Sequence, residues 1–409
     1  MISKSRRTLA AWVIYDMAGH AYALMIPAVG YAIYFTSFIA ASHPLADALW
    51  AIAVALPLVA AGLISPWLGV LADTGGYRRR FLILATVTCS IATALMVTLN
   101  RGDVVLGMFY FVFAQLAFLL ANALYNAYLP QLSTPKKSGR VSGMAWGLSY
   151  LGGILCFLLC LPFISGGIVP DNESRFANAF LITAAFFLML GLPAVFNFPR
   201  ENVVNHNIQN AHPYRRLWET VRSWRNDREI PKFLLAYYLI NDAMVTVIYF
   251  TAIFLKTTFG LSLQQVLMYL LAFQLIAIPS TIFFGWLGDR WSQRGAINVT
   301  LAIWGLTLAL MGLAEGEYAP LAIVVSLGLV LGSTQSLCRS MFSQMIPPER
   351  AAEYFGFHAL AGRASSALGP LLFGLVSAFA GSQRLAMASL GVFLIAGGVI
   401  LARVRLKVA

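Results

Sequence analysis

About twelve runs of predominantly apolar residues follow one another along this chain of 409 residues, at roughly 9–39, 46–72, 80–99, 103–129, 139–163, 176–197, 231–259, 262–288, 296–314, 319–345, 350–379 and 383–403. Each is close to the 20 or so residues that a helix needs to cross a hydrocarbon core of roughly 30 Å. Little remains to wet a soluble surface, since 59% of the residues are hydrophobic and only 11% are charged. Lipid offers the backbone no hydrogen-bond partners, so a spanning segment must satisfy its own N–H and C=O groups, and a helix does so. The expected fold is therefore an all-α membrane protein of twelve transmembrane helices. The first run is too long for a cleavable signal peptide, and no small-residue cleavage pattern follows it.

Charge placement gives an orientation. With the N-terminus in the cytoplasm, one side collects Lys4, Arg6, Arg7, Arg78, Arg79, Arg80, Lys136, Lys137, Arg140, the cluster from Arg200 to Lys232, Arg290, Arg294, Arg339, Arg350, Arg403, Arg405 and Lys407. The other side keeps Arg101, Arg175, Lys256 and Arg384. The positive-inside rule then puts both termini in the cytoplasm. The net charge of +12 reads as topology and contact with membrane lipids, with no nucleic acid as partner. Short loops fit a bacterial plasma (inner) membrane. Cys89, Cys156, Cys160 and Cys338 all fall within spans and read as packing residues, without a disulfide.

The longest polar stretch lies between the sixth and seventh runs. It divides the chain into a first six-helix half (1–198), a linker (199–230) and a second six-helix half (231–409). Leu217, Val221 and Trp224 recur there at helical spacing, predicting a short amphipathic helix on the inner leaflet with its arginines in water. The halves echo one another. "GVLADTGGYRRR" starts at Gly69 and "GWLGDRWSQRG" at Gly285, and Gly69 and Gly285, Asp73 and Asp289, and Gly153 and Gly369 all stand 216 positions apart. Two pseudo-symmetric halves of this kind are the arrangement of a secondary transporter with its site near the bilayer midplane.

The first of these loops, with Gly69, Leu71, Ala72, Asp73, Gly76, Arg78 and Arg79 between the second and third spans, resembles the signature loop of the major facilitator superfamily. A weaker copy comprises Gly285, Leu287, Gly288, Asp289 and Arg290. The residues read as a gating latch, in which Asp73 accepts from a neighbouring helix N-terminus and the arginines hold the inner surface shut. "WVIYDMAGHAYA", "NALYNAYLPQL", "SGMAWGLSYLGGIL", "LINDAMVTVI" and "EYFGFHALAGRASSALGPLLFG" resemble, more narrowly, the vacuole effluxer branch of that superfamily. This branch includes autophagy-related amino-acid exporters and their bacterial relatives. The chain differs from the branch pattern at Gly19, His20 and His358.

A charge at the bilayer centre costs at least about 2.5–3.5 kcal/mol, which makes every deep ionisable group a functional candidate. At 1.5 Å per residue, Asp16 lies about 12 Å into the first span and Asp242 about 16 Å into the seventh. His20 is one turn from Asp16 and shares its face, where the two can exchange a proton. Arg363 lies deep in the eleventh span and needs an acid or a substrate anion. Arg339, nearer the end of the tenth, is expected to snorkel. The resemblance implies that spans 1, 4, 7 and 10 line the cavity, with 5, 8 and 11 among those flanking it. The amides and aromatics of these spans complete the candidate set for substrate or coupling ion: Tyr15, Asn122, Tyr125, Asn126, Trp146, Tyr150, Asn241, Gln274, Gln335 and His358. Gly143, Gly147, Gly152 and Gly153 read as close-packing positions, and Gly369 to Gly374 as a bend.

No phosphate-binding loop, metal-ligand spacing or nucleophile elbow is present, so no enzyme chemistry, cofactor or metal is expected. The reading is a monomeric secondary active transporter that moves a small polar or zwitterionic solute, an amino acid or a peptide-like metabolite, with protons as coupling ion. A larger amphipathic solute such as a cell-wall fragment, a siderophore-like chelate or a drug remains open, as do a lipid scramblase and a non-transporting membrane receptor.

Overall fold

The computed structural model describes residues 2–169, 172–199, 213–225, 227–365 and 368–405. Arg200, His206, His212 and Lys407, with most of the polar linker, lie outside these residues. Within them the regular elements are helices. Twelve helical stretches are long and apolar enough to cross a membrane: Arg6–Ile39, Ala48–Gly75, Arg78–Thr98, Val104–Leu132, Pro135–Ile164, Glu173–Phe196, Glu229–Phe259, Gln264–Arg290, Gln293–Leu313, Ala319–Met345, Pro348–Ala380 and Gln383–Ala402. They are numbered below as spans 1 to 12.

Local chemistry sets the span ends. Gly76 and Gly260, both at φ 64°, end spans 2 and 7 in the left-handed conformation that a side chain resists. Ser262 and Gln265 form a reciprocal capping box before span 8, and Ser292 and Ser382 cap spans 9 and 12. Span 1 is irregular. Its helix widens into π-helical turns at Leu24–Val29, which contains Pro27, and again at Phe35–Ile39. Pro27 has no N–H to give the ladder, which accounts for the first interruption.

The chain packs into two compact units. One gathers Met1–Tyr128, Leu148–Pro213 and Glu349–Gly356; the other gathers Leu129–Gly147, Tyr214–Pro348 and Phe357–Ala409. Each sequence half thus lends one short segment to the unit built mainly from the other, the start of span 11 in one case and the start of span 5 in the other.

The echoed loops explain both loans. In the first unit, Asp73 at the end of span 2 accepts from the backbone N–H groups of Ala352 (3.2 Å) and Glu353 (2.9 Å), at the N-terminus of the helix Ala351–Ala364. In the second, Asp289 at the end of span 8 accepts from Gly139 (2.7 Å) and Arg140 (2.8 Å), at the N-terminus of the helix Ser138–Ile164. A carboxylate facing the unbonded N–H groups of a helix start satisfies them and meets the positive end of the helix dipole, a contribution of up to about 2 kcal/mol when partly buried. The glycines allow the approach. A Cβ on Gly69 would strike the carbonyl oxygen of Ala352, and one on Gly285 that of Gly139.

The copies differ in their cations. Arg78, buried, donates to Asp73 Oδ1 at 2.6 Å and to the carbonyl of Ala127 at 3.1 Å, and lies over the ring of Tyr128. Glu353, also buried, pairs with Arg350 at 2.7 Å. In the second copy Gln293 donates to Asp289 at 3.0 Å, while Arg290 is exposed over Trp286. Arg79 reaches the carbonyl of Phe196 at 2.8 Å.

Three sequence expectations need correction. The helix Leu368–Ala380 runs unbroken through Gly369 to Gly374, where a bend was expected. Arg339 does not snorkel: it is 2% exposed and bonded inside the second unit, as described below. The linker helix exists at Pro213–Ser223, but Trp224 just beyond it packs against Phe357 while Tyr214 and Trp218 are exposed, so protein covers part of the face that lipid was expected to cover. The four cysteines are buried and free.

Gly285→Val should distort the second latch, because its Cβ would also lie 3.0 Å from the Cα of Gly143 and backbone cannot move aside cheaply. Thermal melting of the purified variant should show a loss corresponding to about 1–3 kcal/mol. Gly374→Ala, whose Cβ meets nothing within 4 Å, should match or exceed the parent protein.

Candidate functional site

The first unit carries its ionisable pair on span 1. Asp16 and His20 are both half-buried and one helical turn apart, flanked by the fully buried Ala18 and Ala21. Span 5 presses on the same turn. A Cβ on Gly153 would lie 2.6 Å from Cδ2 of His20, and one on Gly152 would lie 2.7 Å from Cα of Met17. The absence of a side chain at Gly153 leaves room for the imidazole, and at Gly152 for the backbone of span 1. Tyr150 meets the ring edge-on, with centroids 4.8 Å apart.

Tyr15 and Tyr125, read above as candidate contacts, belong to packing in this structure. Tyr15 is 4% exposed, shares a 2.8 Å hydrogen bond with Thr86 and lies against Tyr125 at 5.2 Å. Tyr125 donates its hydroxyl to the carbonyl of Trp12, and Trp12 returns its indole N–H to the carbonyl of Tyr125. Their rings stack at 4.7 Å. This reciprocal pair fixes span 4 to span 1. One turn earlier on span 4, Asn122 accepts from Asn126 at 3.0 Å.

In the second unit a chain of amides joins three spans. Gln335 of span 10 donates to Asn241 of span 7 at 3.1 Å, and Asn241 donates to Ser365 (2.7 Å) and to the carbonyl of Gly362 (3.2 Å) in span 11. Arg363 and Gln274 are half-buried. His358 is buried in an aromatic box, 4.1 Å from the ring of Tyr237 and 5.0 Å from that of Phe342. Tyr237 and Ser365 escape sequence reasoning, because neither is a deep charged group or an amide and only the fold brings them to His358 and Asn241.

Asp242 is fully buried, and its Oδ1 accepts from the N–H of Gly369 at 2.9 Å, in the first turn of the helix Leu368–Ala380. A Cβ on Gly369 would lie 2.9 Å from the Asp242 carbonyl oxygen. The geometry makes Asp242 an acceptor for a helix start, as Asp73 and Asp289 are. Gly369 is the counterpart of Gly153 in the echo. In each half, then, a glycine of the fifth span or its repeat lies against the helix turn that carries a deep polar side chain, His20 or Asp242.

Arg339 has a built receptacle. Its Nε donates to the hydroxyl of Ser142 at 2.9 Å, a terminal nitrogen donates to the Ser142 carbonyl at 2.9 Å, and the guanidinium lies 5.0 Å over the ring of Trp146. Trp146 is thus committed to a cation–π contact. Ser138 shares a 2.7 Å bond with Ser340, and Gln344 donates to Ser138 at 2.7 Å, so the first turns of span 5 are sewn to span 10. No group of three or more His, Cys, Asp or Glu among the described residues is placed to hold a metal ion.

Comparison with known proteins places this architecture. The family described as "Vacuole effluxer Atg22 like" matches residues 46–409. The uncharacterized MFS-type transporter YxiO of Bacillus subtilis is 25% identical over 98% of this chain and 96% of its own. Autophagy-related protein 22-1 of Aspergillus niger is 25% identical over 64% of this chain, which covers 46% of that longer protein. Among solved structures, the proton:xylose symporter XylE bound to 6-bromo-6-deoxy-D-glucose superposes with TM-score 0.75 at 14% identity, over 98% of this chain and 96% of that one. The human organic anion transporter MFSD10 gives 0.70 at 15% identity, over 97% and 99%.

Asp242→Ala should remove the acceptor from a helix start and lower stability by about 0.5–2 kcal/mol, whereas Asp242→Asn keeps a side-chain oxygen and most of the stability. Melting temperatures of the two purified variants check this. Equal losses would show that charge, and not acceptance from Gly369, holds the contact.

Proposed function

This chain belongs to the Atg22-like vacuole effluxer family of the major facilitator superfamily, a multi-pass membrane transporter by membership, and from that premise we propose that it moves a small zwitterionic solute by proton-coupled alternating access. The observation that carries this reading is the pair on span 1. Asp16 and His20 are half-buried on one helix face of span 1, ten and fourteen residues beyond its start at Arg6. A carboxylate and an imidazole one turn apart are chemically suited to bind an ammonium group and to hand over a proton.

Within the second unit, a guanidinium stands beside a chain of amides. Arg363, whose planar guanidinium matches a carboxylate in two-pronged fashion, is half-buried one residue after Gly362, whose carbonyl receives Asn241. Asn241 and Gln335 are already bonded to one another and hold spans 7, 10 and 11 in register around it. Amino acids and short peptide-like metabolites carry both charged groups that these residues match. The family resemblance favours the same class. Asp73 and Asp289, with their glycines and with Arg78 and Arg79, are the proposed gate elements, and Arg290, exposed, acts at the surface of the second. The proposed setting is a plasma membrane with both termini cytoplasmic, and the proposed unit of function is the monomer.

Thermal stabilisation of the purified protein by a panel of amino acids, dipeptides, muropeptides and iron chelates, at two pH values, tests this. An amino acid should raise the melting temperature in a pH-dependent manner, and Asp16→Asn should remove the pH dependence while leaving the unliganded melting temperature near that of the parent. Stabilisation by a chelate or a muropeptide alone would overturn the assignment to amino acids. An undiminished pH dependence in Asp16→Asn would remove Asp16 from the coupling role.

A further inference from the structure

Spans 9 and 12 enclose an apolar groove of about 750 Å³. Its floor is made of residues with little or no side chain, including Gly305, Ala309, Gly312, Gly391 and Gly398, and its rims are longer apolar side chains such as Leu313 and Ile395. A Cβ placed on Gly305 would meet nothing within 4 Å. The rims are open, with Leu313 81% and Ile395 70% exposed, as expected of helices facing hydrocarbon. Small residues in a membrane helix let a neighbouring helix approach, and Gly312, Gly391 and Gly398 do so here, their added Cβ atoms falling 3.4–3.9 Å from Ala388, Leu308 and Leu301 of the facing span, whereas Gly305 faces open space.

The two ends of the groove differ in polarity. At one end the lining includes Asn298 and Ala402. Asn298 is an exposed amide about 7 Å beyond the start of span 9, the depth of the ester and headgroup region. Beside it Arg294 is half-buried and reaches the carbonyl of Ala402 at 3.4 Å, and Arg403 follows, exposed. The nearby acid, Glu229, is occupied by Lys232 at 2.9 Å and by the backbone N–H of Arg405 at 2.5 Å. At the other end the loop after span 9 carries Glu315 and Glu317, while Arg384 donates to the Ala314 carbonyl at 2.6 Å.

We propose that this groove is a binding site for an anionic phospholipid, with an acyl chain along Gly305, Gly312 and Gly398 and the phosphate received by Arg294 and Arg403. The polarity argues for the lipid over a second copy of this chain. A symmetric dimer across two-fold related grooves would set these arginines against their own copies or against bare hydrocarbon, whereas a phosphate neutralises them and its ester oxygens accept from the Asn298 amide. Anionic headgroups attract each basic side chain at the interface by an amount worth about a fivefold change in binding.

Native mass spectrometry of the full-length protein, released from detergent micelles with phosphatidylglycerol and phosphatidylcholine of equal chain length, reads the site. The parent protein should retain one phosphatidylglycerol in preference to phosphatidylcholine. Arg294→Gln combined with Arg403→Gln should cut that preference by about 25-fold, two arginines at about fivefold each. Gly305→Leu, which fills the floor with a better helix former, should lower retention of both lipids while the protein remains folded. Retention that ignores headgroup and all three substitutions would overturn the proposal. So would a dimer that Gly305→Leu dissociates, which would give the groove to a second copy.

Discussion

A carboxylate aimed at the first turn of a helix is the interaction on which this structure turns. Asp73 holds the start of span 11, Asp289 the start of span 5, and Asp242 the helix that completes span 11. Each acid resolves two problems together. A helix start has N–H groups without an intrahelical acceptor, and a buried carboxylate has a charge that needs donors. Joined, each meets part of the other's need, and Arg78 adds an ion pair to Asp73. The bond is strong only where the backbone approaches closely, so Gly69, Gly285 and Gly369 accompany the acids, two of them four residues earlier on the same helix and one on the helix that is held.

Asp242 and Asp16 look alike in sequence, each a deep acid in the first span of its half. In the structure one is fully buried and bonded to Gly369, and the other is half-buried on a helix interior beside His20. The echo between halves extends to the glycine contact but not to the chemistry, since Gly369 gives its N–H to a buried acid whereas Gly153 makes room for a half-buried imidazole. The latches proposed as gate elements contribute on the order of 1–2 kcal/mol each.

Much of the fold was legible in the residues. Apolar runs locate twelve spans to within a few positions, because hydrocarbon thickness and the helical rise leave little freedom. The interval between Gly69 and Gly285 reveals the repeat, and Asp73 reads as an acceptor for a helix start before its partners at Ala352 and Glu353 are known. Other features depend on which helices meet. Arg339 reads as a snorkelling side chain by depth alone; Ser142 and Trp146, almost two hundred positions earlier, make it a buried one. Tyr15 and Tyr125 read as cavity aromatics by span number, yet the helix face on which each lies turns them towards Trp12 and Thr86. Gly369 to Gly374, expected to bend, lies within a continuous helix that starts at Leu368, where Asp242 accepts from the N–H of Gly369.

The most direct test of the account is flux. Protein reconstituted into sealed liposomes, loaded with a candidate amino acid and given the radiolabelled form outside, should exchange label and, under an imposed pH gradient, accumulate it until a protonophore collapses the gradient. Asp16→Asn should still exchange label but no longer respond to the gradient. Label that never enters beyond protein-free liposomes for any zwitterion tested, while another solute class exchanges freely, would contradict the assignment of Asp16, His20 and Arg363 to a zwitterion and its proton.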